Sequence, residues 1–289
     1  LCNDAAFKIG DECSPEVFWL LGRGGVERFD SMASSARVSV SFPDAGSHVL
    51  RFDDLYALLN TNDVGLNGRG SHSHNDALSI EVSALGRPWI VDPGSYVYNY
   101  DREARHRFRS TAAHSTLMIE GREQNTINVD EPFVSSNSAR PRLIEWSVDS
   151  ISAEHAGYAP VVHRRTVCLH RSDRRFSLTD EVQGTGFHEL SFAFHIAAGT
   201  DIDVSNSGAL VRSREHGSLA ILCDSPAEAT VDEAGFSNHY GALAPTKVIR
   251  FVVKAALPAA VHWLIVPLSA GEDPRPRLAA LRKLLQNNA

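Results

Sequence analysis

Arg37-Val38-Ser39-Val40-Ser41-Phe42 alternates apolar and small polar side chains. That is the period of a strand, whose successive side chains leave opposite faces. The same short-run signal returns at 77–85, 88–92, 115–120 and 161–169, then at 175–182, 188–196, 218–223, 247–254 and 260–266, with Gly, Pro, Asn and Asp in the gaps. Many short strands separated by turn residues predict a mainly β fold, a large antiparallel β-sandwich.

Two helices flank this pattern. At the start, Ser14 is placed to cap a helix that opens on Pro15, carries Val17, Phe18, Trp19, Leu20 and Leu21, and closes at Gly22. Its apolar side chains have little in the neighbouring sequence to pack against, which predicts that it belongs with an upstream structure. At the end, Leu278, Leu281, Leu284 and Leu285 recur at helical spacing opposite Arg277, Arg282 and Lys283. A closing amphipathic helix from Pro276 to Asn287 is expected to pack on the sandwich.

The composition fits this picture. The 289 residues are 43% hydrophobic and 22% charged, which is ordinary for a globular chain. No apolar run approaches the roughly 18 residues a membrane span needs. A net charge of −7 without a lysine-rich block argues against a nucleic-acid binder. Cys2, Cys13, Cys168 and Cys223 are too scattered for a zinc ribbon or a disulfide scaffold. Cys168 and Cys223 sit in strand-like stretches and read as buried free thiols, while Cys2 and Cys13 are able to bridge in an oxidising compartment. The chain opens on Leu1 with neither Met nor a signal-peptide pattern, so a fragment lacking its natural start is expected.

Chemistry concentrates between Gly68 and Gln124. Read as a strand, Ser71-His72-Ser73-His74-Asn75-Asp76-Ala77-Leu78 puts His72, His74, Asp76 and Leu78 on the core-facing stripe. Inward imidazoles need partners, because an unsatisfied buried polar group costs roughly 1–3 kcal/mol. A metal or a hydrogen-bonded pair would satisfy them equally. Asp92 ends the apolar run Trp89-Ile90-Val91 at a Pro-Gly turn, and His114 opens another strand. Ligands from such strand ends make a two-His, one-carboxylate set suited to zinc or iron. A cupin site is disfavoured: cupins place a Glu close behind the second His, whereas Glu81 lies farther on and on the opposite face. Next comes a positive loop with Arg102, Arg105, His106, Arg107 and Arg109, a candidate anion site, with Tyr96, Tyr98 and Tyr100 alternating before it. Ordinary ion pairs with Asp101 and Glu103 would also account for Arg102 and Arg105.

Three ordered motifs carry a family resemblance: Gly70-Ser71-His72-Ser73-His74-Asn75-Asp76-Ala77-Leu78-Ser79, Gly86-Arg87-Pro88-Trp89-Ile90-Val91-Asp92-Pro93-Gly94, and Phe108-Arg109-Ser110-Thr111-Ala112-Ala113-His114-Ser115-Thr116. Together with His163-Arg164-Arg165, Thr179-Asp180 and Tyr240-Gly241, they make the chain resemble the heparinase II/III-like polysaccharide lyases from about Gly22 onward. In that family an α/α toroid precedes a β super-sandwich, and the cleft between them holds the polysaccharide. The resemblance therefore implies that residues 1–22 are a helical remnant of the toroid and 23–289 the sandwich.

It also implies a Zn²⁺ held by His74, Asp92 and His114, with a structural role. His72 becomes the histidine that reaches the sugar, and Tyr100, with Tyr98 close behind, a second active-site tyrosine. Arg105, Arg109 and Tyr98 are implied to meet an acidic polysaccharide or oligosaccharide. The principal tyrosine and the carboxylate-neutralising Asn and His belong to the missing toroid domain, so the sandwich by itself is expected to be nearly inactive. The reaction is β-elimination at a uronic acid, leaving an unsaturated sugar. Imidazole suits the base because its ordinary pKa, about 6.5, lies near working pH. The setting implied for the whole protein is periplasmic or secreted. Two other readings compete: a non-catalytic sandwich that binds acidic glycans or assists assembly, and a metal-dependent oxygenase on a β scaffold.

Overall fold

The computed structural model describes residues 13–33, 37–65, 69–70 and 72–288. Cys2 lies outside them. Contacts divide the chain into two units, one ending at Val38 and one beginning at Ser39. The first holds helix α1 (Pro15–Ser31), which Gly22 interrupts at φ +64 before helical backbone resumes. The break therefore falls where the sequence predicts the helix to end, and a second helical stretch follows it. Trp19 and Leu20 are exposed, and α1 has no buried residue. No helix among the described residues is long and apolar enough to cross a membrane.

The second unit opens with β1 (Val40–Phe42), β2 (Ser47–Phe52), β3 (Leu55–Asn60), β4 (Ile80–Ala84) and β5 (Arg87–Ile90). Helix α2 (Arg102–Arg109) and β6 (Leu117–Ile119) follow. A long antiparallel run comes next: β7 (Arg142–Trp146), β8 (Ser150–Tyr158), β9 (Val161–His170), β10 (Arg175–Gln183) and β11 (Phe187–Ile196). The chain continues through β12 (Asp201–Ser205), β13 (Gly208–Ser213), β14 (Gly217–Cys223), β15 (Glu228–Phe236), β16 (Ala244–Ala256) and β17 (Ala259–Leu268), and closes with α3 (Pro274–Asn288).

Two antiparallel sheets result. One runs β1-β2-β3-β4-β5-β11-β16-β15, with β6 also paired to β11, and the other runs β12-β13-β14-β17-β10-β9-β8-β7. The expected sandwich is therefore present. Between the sheets Trp263 meets Phe192, Phe194 and Phe251, each ring pair at 5.2 Å or, for Phe194 with Phe251, 6.1 Å. Aromatic packing of this kind adds to the area that these large rings bury. The closing helix packs through three of the four predicted leucines: Leu278, Leu281 and Leu285 cover Ala220, Leu222, Leu264, Val266 and Leu268, while Leu284 is exposed.

The histidine segment departs from its expected strand. Strand geometry starts only at Ile80, and Leu78 stands at φ +57, so alternation fails upstream of it. Tertiary bonds replace the ladder: Asn75 N–H donates to Arg109 O (2.9 Å), Ala77 N–H to Gln124 Oε1 (2.9 Å) and Leu78 N–H to Asn60 O (2.8 Å). His72 is consequently exposed rather than inward. His114 likewise follows a 3-10 turn, Thr111–Ala113, instead of opening a strand.

Candidate metal and active site

Three segments meet at one end of the first sheet. The turn before β4 brings His72, His74 and Asp76, the turn after β5 brings Asp92, and the segment before β6 brings His114. Asp92 is positioned by its own turn, its Oδ1 accepting the Gly94 N–H at 2.8 Å. Gly94 stands at φ +79 against Ser237 O, where any Cβ would collide. Position 94 therefore needs glycine on both counts.

His114 is fully buried and bonds through Nδ1 to Asp92 Oδ2 at 2.8 Å. Burial alone would lower its pKa, but the Asp92 carboxylate outweighs burial and holds the imidazole above its ordinary range. The reciprocal effect holds the Asp92 carboxyl at about 2, although burial opposes it. His114 Nε2 is buried and has no hydrogen-bond partner among the described residues. Asp76 completes a group of three: one potential ligand atom from each of Asp76, Asp92 and His114 lies within 4.8 Å of the others. Burial raises the Asp76 carboxyl to about 6 and, with Asp92 and Asp76 nearby, the Glu81 carboxyl to about 7. Two carboxylates crowded against the His114 imidazole, whose Nδ1 would exchange its proton for the ion, fit a divalent cation, and His with Asp suits zinc.

Of the three implied ligands, Asp92 and His114 come together directly. His74 lies alongside, its ring 5.2 Å from that of His114, but its Nε2 accepts from Arg105 Nη1 at 2.8 Å. Burial, then His114 and Arg105, push its pKa down to about 3. A neutral imidazole accepting at Nε2 carries its proton on Nδ1. Ligation through Nε2 therefore requires Arg105 to turn aside. Alternation alone places Asp76 on the core stripe with Leu78, so only the turn before β4 brings its carboxylate to Asp92 and His114.

The predicted positive loop is the short helix α2. Asp101 caps it, accepting from Ala104 N–H at 2.9 Å, and the segment's local hydrogen bonding favours helix over loop. Helix geometry turns Arg105 and Arg109 inward. Arg109, 2% exposed, donates to Asn128 O and Glu131 O, so its charge braces the neighbouring loop. The guanidinium of Arg105 lies over the rings of Tyr98 (5.3 Å) and Phe133 (5.9 Å).

The three tyrosines do not share a face. Tyr96, at φ +56, packs on Phe108, and Tyr100 is 90% exposed. Tyr98 meets His72 edge-on at 5.2 Å and also touches Phe133 and Tyr240. Phe133 was invisible to motif reading because its role comes only from this aromatic contact. A cleft of about 490 Å³ runs past His72, Ser73, His74, Asp76, Glu81 and Asp92.

The family model described as "Heparinase II/III-like, C-terminal" matches residues 35–264. Among solved structures, heparan sulfate lyase HepC from Pedobacter heparinus superposes at TM-score 0.71 with 16% identity, over 89% of this chain and 41% of that one. A heparinase III structure gives TM-score 0.70 and 16% identity, over 84% and 38%. A heparinase III gene product with methylated lysines gives 0.70 and 19%, also over 84% and 38%. The chain thus spans about two fifths of the length of these structures, and at such identities the likeness is one of fold. No curated protein matches the sequence.

Proposed function

This chain belongs to the heparinase II/III-like family, matching its C-terminal domain, and on that premise we propose that it is the sandwich part of a lyase cleaving uronic-acid-containing polysaccharide by β-elimination. The observation that carries this reading is His72, exposed at the cleft and held edge-on to Tyr98 beside the group formed by Asp76, Asp92 and His114. In this reading His72 moves the proton at the reacting sugar, and Tyr98, rather than the outlying Tyr100, donates toward the leaving C4 oxygen. Arg105, buried against Tyr98, supplies positive charge beside them, and donors aimed at the developing enolate charge are what such a reaction needs. The toroid of the whole protein supplies the remaining groups, and a periplasmic or secreted setting suits an acidic polysaccharide substrate.

The test uses the whole lyase and a panel of acidic glycans, following ultraviolet absorbance of the unsaturated product. Product release by the whole protein, with little from residues 1–289 alone, is expected. Glycan binding without any unsaturated product would instead establish a non-catalytic binding sandwich.

A zinc ion would sit on Asp92 and His114, with His74 joining as the Arg105 N–H moves off Nε2 and Asp76 within reach as a fourth donor. Bound there, the metal supplies a fixed positive centre that neutralises the carboxylates and pins the segment presenting His72. Elemental analysis is expected to find one zinc per chain, lost in His114→Ala and His74→Ala. Asp76→Asn should keep the metal with weakened affinity. Full retention in His74→Ala with loss in Asp76→Asn would transfer the third position to Asp76, and a zinc-free wild type would remove the site altogether.

A further inference from the structure

The inner face of the second sheet carries charge where a sandwich normally carries hydrocarbon. On β9 the inward residues are Val161, His163, Arg165, Val167 and Leu169, all buried, and Asp180 on β10 and Trp263 on β17 face the same space. Asp180 accepts from Arg165 twice (Nε to Oδ1 at 2.7 Å, Nη2 to Oδ2 at 3.1 Å), from His163 Nε2 at 2.7 Å and from Trp263 Nε1 at 3.0 Å. His163 in turn bonds through Nδ1 to His155 Nε2 at 3.2 Å, and His155 Nδ1 accepts from the Gly157 N–H at 3.1 Å. One direction of donation satisfies the whole relay with both imidazoles neutral: Gly157 to His155, His155 to His163, His163 to Asp180. These groups are remote from the cleft in sequence, and the proposed reaction does not use them.

The third guanidinium nitrogen shows what the cluster holds. Arg165 Nη1 donates to Leu78 O at 2.8 Å and to Ser115 O at 2.9 Å. Leu78 belongs to the turn that begins at Asp76, closed by Ser79 N–H to Asp76 O at 2.9 Å, and Ser115 directly follows His114. Leu78 is also a non-glycine residue at φ +57, a conformation that persists only where its surroundings over-determine it. Removing a buried charge from water is costly, so an ion pair in this core needs a return other than packing.

We propose that Arg165, oriented by Asp180 and the His163–His155 relay, is a positioning residue: one nitrogen clamps the two backbone segments that carry Asp76 and His114 and so sets their separation. Polar groups behind metal ligands typically change affinity 10–100-fold when removed. The metal part of this inference rests on the zinc reading above, and the backbone part does not.

The experiment measures zinc affinity by chelator competition on folded chain for Arg165→Met, Arg165→Lys and a core truncation on β14, Leu219→Ala, chosen as a stability control. Arg165→Met is expected to bind zinc about 10–100-fold more weakly than wild type. Arg165→Lys, with fewer and shorter-reaching donors, should fall between, and it carries the measurement if Arg165→Met does not fold. Leu219→Ala should keep wild-type affinity despite a lowered Tm. Arg165 variants that bind zinc as tightly as Leu219→Ala would overturn the proposal. Hydrogen exchange at the Leu78, Ser79 and Ile80 amides provides the metal-free readout: faster exchange in Arg165→Lys than in Leu219→Ala is expected, and equal exchange overturns the clamp. A wild type that binds no zinc would sink the zinc reading alone, leaving the clamp to be judged by exchange.

Discussion

His72→Ala in the whole protein is expected, on the proposed reaction, to lower turnover about 10²–10⁴-fold, the usual contribution of a positioned acid or base. Zinc content and Tm should change little, because His72 is exposed and its ring contacts are confined to Tyr98 and Phe133 among the described residues. The same preparation should separate the tyrosines: Tyr98→Phe is expected to depress turnover strongly and Tyr100→Phe to leave it near wild type. Metal loss in His72→Ala matching that in His74→Ala would make the two histidines joint ligands and end the division of roles. Wild-type turnover in His72→Ala would remove His72 from the chemistry.

The second large effect lies in the core. Asp180→Ala is expected to destabilise the fold by about 3–5 kcal/mol, the usual result of stranding one member of a buried ion pair. Arg165 would lose both its carboxylate bonds, and the N–H groups of His163 and Trp263 would lose their acceptor. Urea unfolding at pH 7 measures this as a lower midpoint with an unchanged slope. Burial would raise the Asp180 carboxyl, but Arg165 and His163 outweigh it and hold it well below the usual carboxylate range. A depressed carboxylate contributes fully above its unfolded value of about 3.9 and loses that contribution only as pH falls through its lower folded value. The deficit is therefore fully developed at neutral pH. A loss below 1 kcal/mol would mean that the cluster is dispensable, and the clamp on Leu78 and Ser115 with it.

Much of the sheet was legible because alternation is a local property. β9, β10, β11, β14, β16 and β17 read cleanly: each buries one or both faces and so carries a strong apolar signal. The strands missed have specific reasons. β7, β12 and β15 are sheet edges, partly exposed on both faces, and their sequences have little apolar alternation to find. β8 and β13 are interior strands also absent from the sequence pattern, because Ser, Ala and Gly fill many of their positions and dilute the apolar signal. The β2–β3 hairpin was obscured by Leu55-Tyr56-Ala57-Leu58-Leu59, residues that serve equally in a helix, although Asp53-Asp54 marks its turn.

By itself the sequence determined the sandwich, the closing helix, the family motifs and the residues that converge on the cleft. Each of these follows from neighbours close in the chain: period two, a capped apolar stripe, or a short ordered motif. The tertiary structure alone decided which way those residues point and what they touch. His72 faces out because Asn60, Arg109 and Gln124, distant in sequence, bind the backbone of 75–78 and deny it a strand partner. Asp76 comes together with Asp92 and His114 where Arg165, reaching across from the other sheet, donates to both Leu78 O and Ser115 O. Alternation specifies which residues a sheet buries, but a hydrogen bond between residues 87 positions apart depends on how two sheets are stacked, and no local pattern encodes that.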